Sequence, residues 1–189
     1  SLSVEYSLDR KVCNTLNVVC VLESNAQEVI QQVVASARRA AQRRNTVPII
    51  RVVNGSDTFF QREDISMIEE IEMLALECEW EDSPEFHVVV VGSLDESIEL
   101  FNTYSPQFVV SIISDVDAEN QLVWDSANAP FVGNGFTRWV DGQFALLRPE
   151  LGLSNWQNGR LFARSAILSG DSAFSVRMRV SQQDPHIHR

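Results

Sequence analysis

The stretch FHVVVV, residues 86–91, decides the fold, because it is the strongest strand signal in the chain. Its apolar residues are continuous rather than alternating, which is typical of a strand that is covered on both faces. The stretch therefore predicts a sheet that is packed on its two sides. We interpret His87, within the stretch, as a structural histidine rather than as a metal ligand or a base.

Helices and strands alternate outward from this stretch. Short apolar or β-branched runs predict further strands at residues 17–22, 48–53, 108–113 and 129–132. Apolar residues at helical spacing and a capping-box pattern predict a helix from residue 25 and further helices at residues 63–78, 93–102 and 117–127. The basic run at residues 38–44 is interpreted as the solvated C-terminal end of the first helix.

This alternation predicts an α/β fold with a mostly parallel sheet and helices on both faces. We expect a single domain over residues 1–180 and a flexible tail over residues 181–189. Residues 173–180 alternate apolar and polar side chains, which is typical of an edge strand or of a strand that pairs with a partner. Ligands of parallel sheets bind at the carboxyl ends of strands, where we expect residues 134–154 to lie.

The composition argues against several classes of partner. A formal net charge of -11 and a pI near 4.6 disfavour nucleic acid and anionic membranes, so neither is expected as a partner. Cys13, Cys20 and Cys78 are an odd number of cysteines without paired metal spacing, and no metal site is predicted. The sequence has no apolar signal segment and no membrane-length run, which favours a cytoplasmic, reducing compartment.

Residues 134–154, NGFTRWVDGQFALLRPELGLS, are predicted to form a loop that builds a binding site. The glycines of this loop permit tight turns and a close approach of the backbone to a ligand. Arg138 offers a forked cationic donor, and Asp141 and Glu150 offer carboxylates. Two interpretations stay open: the loop binds an anion, or it is a surface loop whose charges are solvated or paired with one another.

Residues 93–142, SLDESIELFNTYSPQFVVSIISDVDAENQLVWDSANAPFVGNGFTRWVDG, resemble the C-terminal catalytic part of the aldehyde dehydrogenase superfamily. The resemblance is to the glutamyl-phosphate reductase branch in particular, and also to a group of uncharacterised insect proteins of that superfamily. It implies an aldehyde dehydrogenase catalytic-domain-like fold. The residues that fall on the motif after the last predicted strand, and that the resemblance implies as substrate-binding, are Asn134, Thr137, Arg138, Asp141 and Glu150.

The resemblance extends to VCNTLNVVCVLE, residues 12–23, which is similar to the segment of the family that carries the nucleophile. It places Cys13 at the catalytic cysteine and Asn14 at the residue after it. Such a cysteine attacks an aldehyde or acyl phosphate carbon and gives a thiohemiacetal or thioester that exchanges hydride with a nicotinamide cofactor. The alternative is that Cys13 is an inherited small residue beside a buried strand.

The cofactor part of the family pattern is not found in this sequence. The dinucleotide-binding domain of the family lies before the catalytic cysteine, whereas twelve residues precede Cys13 here. The sequence also contains no glycine-rich phosphate turn after a strand. We therefore expect no cofactor in this chain, and NAD(P) only if another chain supplies it.

The function expected from these observations is that of a non-catalytic aldehyde dehydrogenase-like interaction or structural protein, which associates with itself or with protein partners. A first alternative is a cysteine-dependent aldehyde or acyl-phosphate oxidoreductase subunit that uses Cys13 with a cofactor from another chain. A second alternative is an anion-binding module that uses residues 134–154.

Overall fold

The computed structural model describes residues 2–9, 11–12, 15–135, 156–157, 160–161, 167–168 and 175–183. The chain divides into two compact units, residues 1–97 and 98–189. Each unit has its own parallel sheet. The α/β class with parallel sheets and helices is thus confirmed, while a single domain over residues 1–180 stays a prediction.

The first unit contains a four-stranded parallel sheet. Its helices and strands are α1 (Leu2–Ser7), β1 (Val18–Leu22), α2 (Ala26–Gln42), β2 (Ile49–Val53), β3 (Met67–Glu69) and β4 (Glu85–Val91). The strand order is β1-β4-β2-β3, so β4 has a neighbour on each side. All residues of β4 are buried except the half-buried Val90, which confirms the prediction from its continuous apolar sequence.

One face of this sheet packs against α2. Every second residue of β2 and of β4 points to the same face of the sheet. On that face these side chains pack against the apolar side of α2. The buried cluster includes Val21, Ile30, Val33, Val34, Ala37, Ile50, Val52, Phe86 and Val88. The opposite face of the sheet carries polar side chains and forms the site described below.

The basic run lies at the C-terminal end of α2, as predicted, and its largely exposed arginines also form specific contacts. Arg39 Nε donates to Glu5 Oε2 at 2.6 Å, and Arg43 donates to the other oxygen of the same carboxylate. Arg44 donates to the backbone carbonyl of Asp82 at 2.7 Å. These contacts attach α1 and the segment before β4 to the C-terminal end of α2.

The predicted helix at residues 63–78 is wrong. That segment contains a turn of 3-10 helix at Arg62–Asp64, the strand β3, and a second 3-10 helix at Ile71–Ala75. Apolar residues three or four apart fit a helix, but they fit short turns and a strand as well. The strand forms rather than the helix for two reasons. The open edge of β2 supplies backbone hydrogen bonds to β3, and the strand places Glu69 in the interior beside Arg51.

The second unit contains a three-stranded parallel sheet. Its elements are α3 (Leu94–Tyr104, which begins just before the boundary), β5 (Val109–Ser111), α4 (Asp117–Ser126), β6 (Phe131–Gly133), β7 (Trp156–Gln157), β8 (Arg160–Leu161), β9 (Ile167–Leu168), β10 (Ser175–Val176) and β11 (Met178–Val180). The sheet order is β11-β6-β5. Strand β11 therefore lies at an edge, as the alternating pattern of residues 173–180 predicts.

Arg177 closes the C-terminal end of α4. Its guanidinium lies 4.5 Å from the ring centroid of Trp124 and donates to the carbonyls of Ala127 at 2.8 Å and Ala129 at 3.1 Å. The last carbonyls of a helix lack partners within the helix, so a cation at this position stabilises it. The contact joins the start of β11 to a helix that lies about fifty residues earlier in the sequence.

The core of the first unit gives a direct test of the fold. We expect Ile50→Ala to lower the free energy of unfolding by about 2–5 kcal/mol, because the side chain is 1 % exposed and its removal leaves a cavity. The matched control is Val47→Ala, because Val47 is 72 % exposed and should change stability by less than about 0.5 kcal/mol. Urea unfolding followed by circular dichroism measures both, and equal losses for the two variants would contradict the assigned packing.

Candidate functional site

A cluster of polar side chains lies on the face of the first sheet opposite α2. Its members, contributed by β2, β3, β4 and the segment between the last two, are Arg51, Glu69, Cys78, Glu85 and His87. We call it the polar cluster. The strand register creates it, because Arg51 is paired with His87 across β2 and β4, and residues two apart on a strand share a face.

Arg51 connects the two carboxylates of the polar cluster. Its Nε donates to Glu85 and its Nη1 donates to Glu69, so one guanidinium serves a carboxylate on each neighbouring strand. Both glutamates are buried, each 8 % exposed. Buried carboxylates are costly unless they are paired and hydrogen-bonded, and Arg51 meets that requirement for both.

His87 lies between a carboxylate and a thiol. Its Nε2 is 3.0 Å from Glu69 Oε2, and its Nδ1 is 3.4 Å from Cys78 Sγ. Burial lowers the pKa of His87 below 6.5, against the opposing effect of Glu69. The neutral imidazole then carries its proton on Nε2 and donates it to Glu69, while Nδ1 accepts the S–H of Cys78.

Cys78 is held as a thiol. Burial, and next the nearby charge of Glu85, raise the pKa of Cys78 from 9.0 to about 12. The residue is 6 % exposed. Thiol, imidazole and carboxylate follow one another in the same order as in catalytic triads, but a nucleophilic cysteine needs a lowered pKa and access for its substrate. The polar cluster has neither property, and its geometry is that of a structural network.

The segment that carries Cys78 is fixed to the start of β1. The side chain of Asn17 accepts a hydrogen bond from the backbone N–H of Cys78 at 2.8 Å and lies 3.5 Å from the carbonyl oxygen of Leu76. Next to it, Lys11 Nζ forms an ion pair with Glu77 Oε1 at 2.5 Å. These contacts hold Cys78 over His87 and cover the polar cluster.

Most of the site residues predicted from the sequence fall outside the described part of the chain. These are Cys13, Asn14, Thr137, Arg138, Asp141 and Glu150. Their assignments as catalytic or substrate-binding residues stay predictions. Val12 and Thr15, which precede and follow the first two, are joined by a hydrogen bond from the N–H of Val12 to Thr15 Oγ1 at 2.7 Å and one from the N–H of Thr15 to the Val12 carbonyl at 2.9 Å.

Asn134 is the predicted substrate-binding residue that the structure describes. Its side-chain amide accepts from the N–H of Gln182 at 3.0 Å and donates to the Gln182 carbonyl at 3.2 Å. The next residue, Gly135, donates its N–H to Ser111 Oγ at 2.9 Å. Both sets of contacts fix the ends of β5, β6 and β11 to one another, and the role of Asn134 toward a substrate stays a prediction.

The turn after β4 does not fit the pyrophosphate of a dinucleotide. A dinucleotide is held by free backbone N–H groups at the start of a helix. After β4, however, the N–H of Gly92 donates to Glu96 Oε2 at 2.8 Å, and Ser93 Oγ accepts from the N–H of Glu96 at 3.2 Å. The capping box predicted for α3 is present, and its carboxylate occupies the position that an anion needs.

The start of α4 has a different arrangement of polar side chains. Ser114 Oγ donates to the carboxylate of Glu119, and the N–H of Val116 donates to the same hydroxyl at 3.0 Å. The side-chain amide of Asn120 donates to the carbonyls of Ser114 and Val116 at 3.0 and 2.9 Å. The side chains at the start of α4 thus bind one another and nearby backbone groups, and the carboxylate that occupies a helix start is that of Glu96 at α3.

No group of three or more histidine, cysteine, aspartate or glutamate side chains with the geometry to hold a metal ion occurs among the described residues. No helix in the described ranges is both long and apolar enough to cross a membrane.

Comparison with known proteins places the fold. No protein-family model matches the sequence, and no curated protein matches it. Among solved structures, the chain is similar to gamma-glutamyl phosphate reductase from Thermotoga maritima, with a TM-score of 0.57 and 19 % sequence identity over 76 % of this chain. The match covers 32 % of the reductase, so this chain spans about a third of its length.

The comparison shows a similarity of fold. The match concerns the arrangement of helices and strands, which agrees with the α/β fold implied by the resemblance of residues 93–142. At this identity it shows the fold alone.

Sequence reasoning missed most of the polar cluster. The interpretation of His87 as a structural residue agrees with its buried position, but Arg51, Glu69 and Cys78 were not predicted to meet it. One signal was available in the sequence: a single charged or polar residue interrupts each of two apolar strands, Arg51 in IIRVV and His87 in FHVVVV. Register then brings these two interruptions together.

The guanidinium of Arg51 gives the first test of the polar cluster. We expect Arg51→Met to lower the free energy of unfolding by about 3–5 kcal/mol, because it leaves buried carboxylates without their cation. Arg38→Met is the matched control. The side chain of Arg38 forms an ion pair with Asp64 and is 59 % exposed, and exposed ion pairs contribute about 0–1 kcal/mol to stability. Urea unfolding midpoints compare them, and similar losses would refute the central role of Arg51.

The titration of His87 gives the second test. Because the pKa of His87 in the folded state is below its ordinary 6.5, the unfolded chain binds the proton more readily. Stability is therefore complete above pH 6.5 and decreases as the pH falls below it, by at most about 1.4 kcal/mol per pH unit for one proton.

His87→Gln removes this titration, so we expect the unfolding midpoints of that variant to change less than those of the native chain between pH 7 and pH 5.5. Glu5 changes the free energy of unfolding only below pH 5.5, because Arg39 and Arg43 outweigh burial and hold the pKa of Glu5 below 4.5. An unchanged slope in His87→Gln would contradict the assignment.

Proposed function

We propose that this chain is a non-catalytic aldehyde dehydrogenase-like protein whose role is to interact with other protein chains. The observation that supports this most directly is the polar cluster. Its thiol, imidazole and two carboxylates are buried and hydrogen-bonded to one another, and the thiol is protonated at neutral pH. A central sheet face filled in this way stabilises the unit and leaves those groups unavailable for chemistry.

Two further observations support the proposal. The helix start after β4 is occupied by the carboxylate of Glu96, which disfavours a dinucleotide there. The structural similarity to gamma-glutamyl phosphate reductase extends over about a third of that enzyme. The reductase activity named for the whole enzyme therefore does not transfer with the fold.

The proposed partners are other proteins or further copies of this chain, in the cytoplasm. The alternative is a cysteine-dependent oxidoreductase subunit that uses Cys13 on an aldehyde or acyl phosphate, with NAD(P) supplied by another chain. Its support is the likeness of residues 12–23 to the nucleophile segment of the superfamily and of the fold to the reductase. The two proposals differ in the reactivity they require of one thiol.

Alkylation by iodoacetamide at pH 7, followed by peptide mass spectrometry, separates the two functions. A thiol with a pKa near 12 is thiolate at roughly one part in 100,000 at pH 7, so we expect Cys78 to react far more slowly than free N-acetylcysteine. In our proposal Cys13 also reacts no faster than N-acetylcysteine.

Unfolding in urea is the control, because it should bring Cys13 and Cys78 to the same rate. A rate for Cys13 more than tenfold above that of N-acetylcysteine, lost when the pH is lowered below 6, would overturn the non-catalytic proposal. In that case Cys13→Ser is the variant to assay for aldehyde oxidation with added NAD(P).

A further inference from the structure

The edge of the first sheet exposes apolar side chains. Strand β3 is the last strand in the order β1-β4-β2-β3, and no strand follows it among the described residues. Met67 is 46 % exposed and Ile68 is 44 % exposed. A sheet edge with unpaired backbone groups and apolar side chains is a template for pairing with another chain.

The two exposed side chains lie on opposite faces of the sheet. Met67 is on the face of the polar cluster, where its sulfur lies 3.3 Å from Arg51 Nη1. Ile68 follows it directly and so points to the other face, where its register partner is Val52. A partner resting on one face covers one of these side chains. A strand added in the plane of the sheet covers both.

The charge around this edge selects the kind of strand. Glu63, Glu70 and Glu72 are exposed within five residues of β3. In the part of the chain that the structure describes, Glu63 and Glu72 form no ion pair, and Glu70 accepts a hydrogen bond from Asn54 at 3.3 Å. A second copy of this edge brings like charges together, which opposes association, whereas a cationic strand gains from them.

Strand β3 has some of the features that protect natural sheet edges, because it is three residues long and its Glu69 is a charged residue that points inward, but it lacks others. Edges are commonly protected by lysine, by proline or by bulges. Residues 62–72, REDISMIEEIE, contain neither lysine nor proline, and β3 pairs with β2 in continuous register. The edge is therefore open to pairing, and its charge is what limits the choice of partner.

We propose that β3 binds an extended basic segment of a partner protein, which adds to the sheet as a fifth strand. The segment alternates apolar residues, which cover Ile68 on one face of the sheet, with lysine or arginine on the other face. The aliphatic stems of these basic residues cover Met67, and their charges are attracted by the acidic surroundings of Glu63 and Glu72. Backbone hydrogen bonds give affinity in this mode, and the alternate side chains give specificity. The inference rests on the proposed function and identifies the chemistry of the partner.

Synthetic peptides test the proposal on the full chain. The probe is a fluorescein-labelled, end-capped peptide of four lysine–valine repeats, and binding is measured by fluorescence anisotropy. Comparison peptides replace every lysine by glutamate, or alternate valines by proline to prevent strand formation. We expect the first peptide to bind, the other two to bind at least tenfold more weakly, and binding to weaken between 50 and 300 mM salt.

Protein variants locate the binding to this edge. We expect Ile68→Lys, and separately the double change Glu63→Lys with Glu72→Lys, to weaken binding at least tenfold. The double change leaves β3 itself intact, so it serves if Ile68→Lys does not fold. Val47→Lys is the matched control, because it also replaces an exposed apolar residue by lysine, and it should bind as the native chain does.

Three results would overturn the inference. They are equal binding of the proline peptide, an equal loss in Val47→Lys, and a native dimer that Ile68→Lys converts to monomers. The last result assigns the edge to a second copy. Failure of peptide binding with an unreactive Cys13 removes only this inference, whereas a fast-reacting Cys13 removes the proposed function whatever the peptides show.

Discussion

The ion pairs of Arg51 are the interaction on which the first unit depends. One guanidinium on β2 contacts a carboxylate on β3 and another on β4, so it joins three of the four strands on one face of the sheet. Without this cation, two glutamates in the interior have no charge partner, and such groups cost several kcal/mol. The carboxylates of Glu69 and Glu85 need partners in the interior. This requirement accounts for the short strand β3, for the position of His87 and for the placement of the segment that carries Cys78 over the polar cluster.

Much of the fold was predictable, since it rests on periodicity. Continuous apolar runs identified β1, β2 and β4, and the Ser93 and Glu96 pair identified the start of α3. Residues 63–78 were not predictable in the same way. Their apolar spacing fits a helix, and the strand forms there because β2 offers an open edge and Arg51 offers a charge partner. Both are properties of the folded sheet and are not visible in a local window.

The polar cluster shows the same limit for the site. Its members lie up to 36 residues apart in sequence, from Arg51 to His87, and register alone brings them together. The candidate residues carried by the superfamily resemblance, Cys13 and residues 134–154, came from motif matching, which depends on ancestry rather than on packing. The buried thiol and its neighbours, in contrast, are identified by the packing of the present side chains.

The contact between Arg177 and α4 has a consequence for the order in which the chain folds during synthesis. The first sheet is complete once residue 91 has left the ribosome, and its most distant strand pairing joins β1 to β4. The second sheet needs β11, which pairs with β6 from about 47 positions farther along the chain. Until residues 177–180 are made, the C-terminal end of α4 lacks Arg177, and the edge of β6 that pairs with β11 lacks that strand. In the part of the chain that the structure describes, β6 therefore waits for this neighbour during about half of the synthesis of the second unit, a period in which a chaperone or a neighbouring nascent chain can bind it.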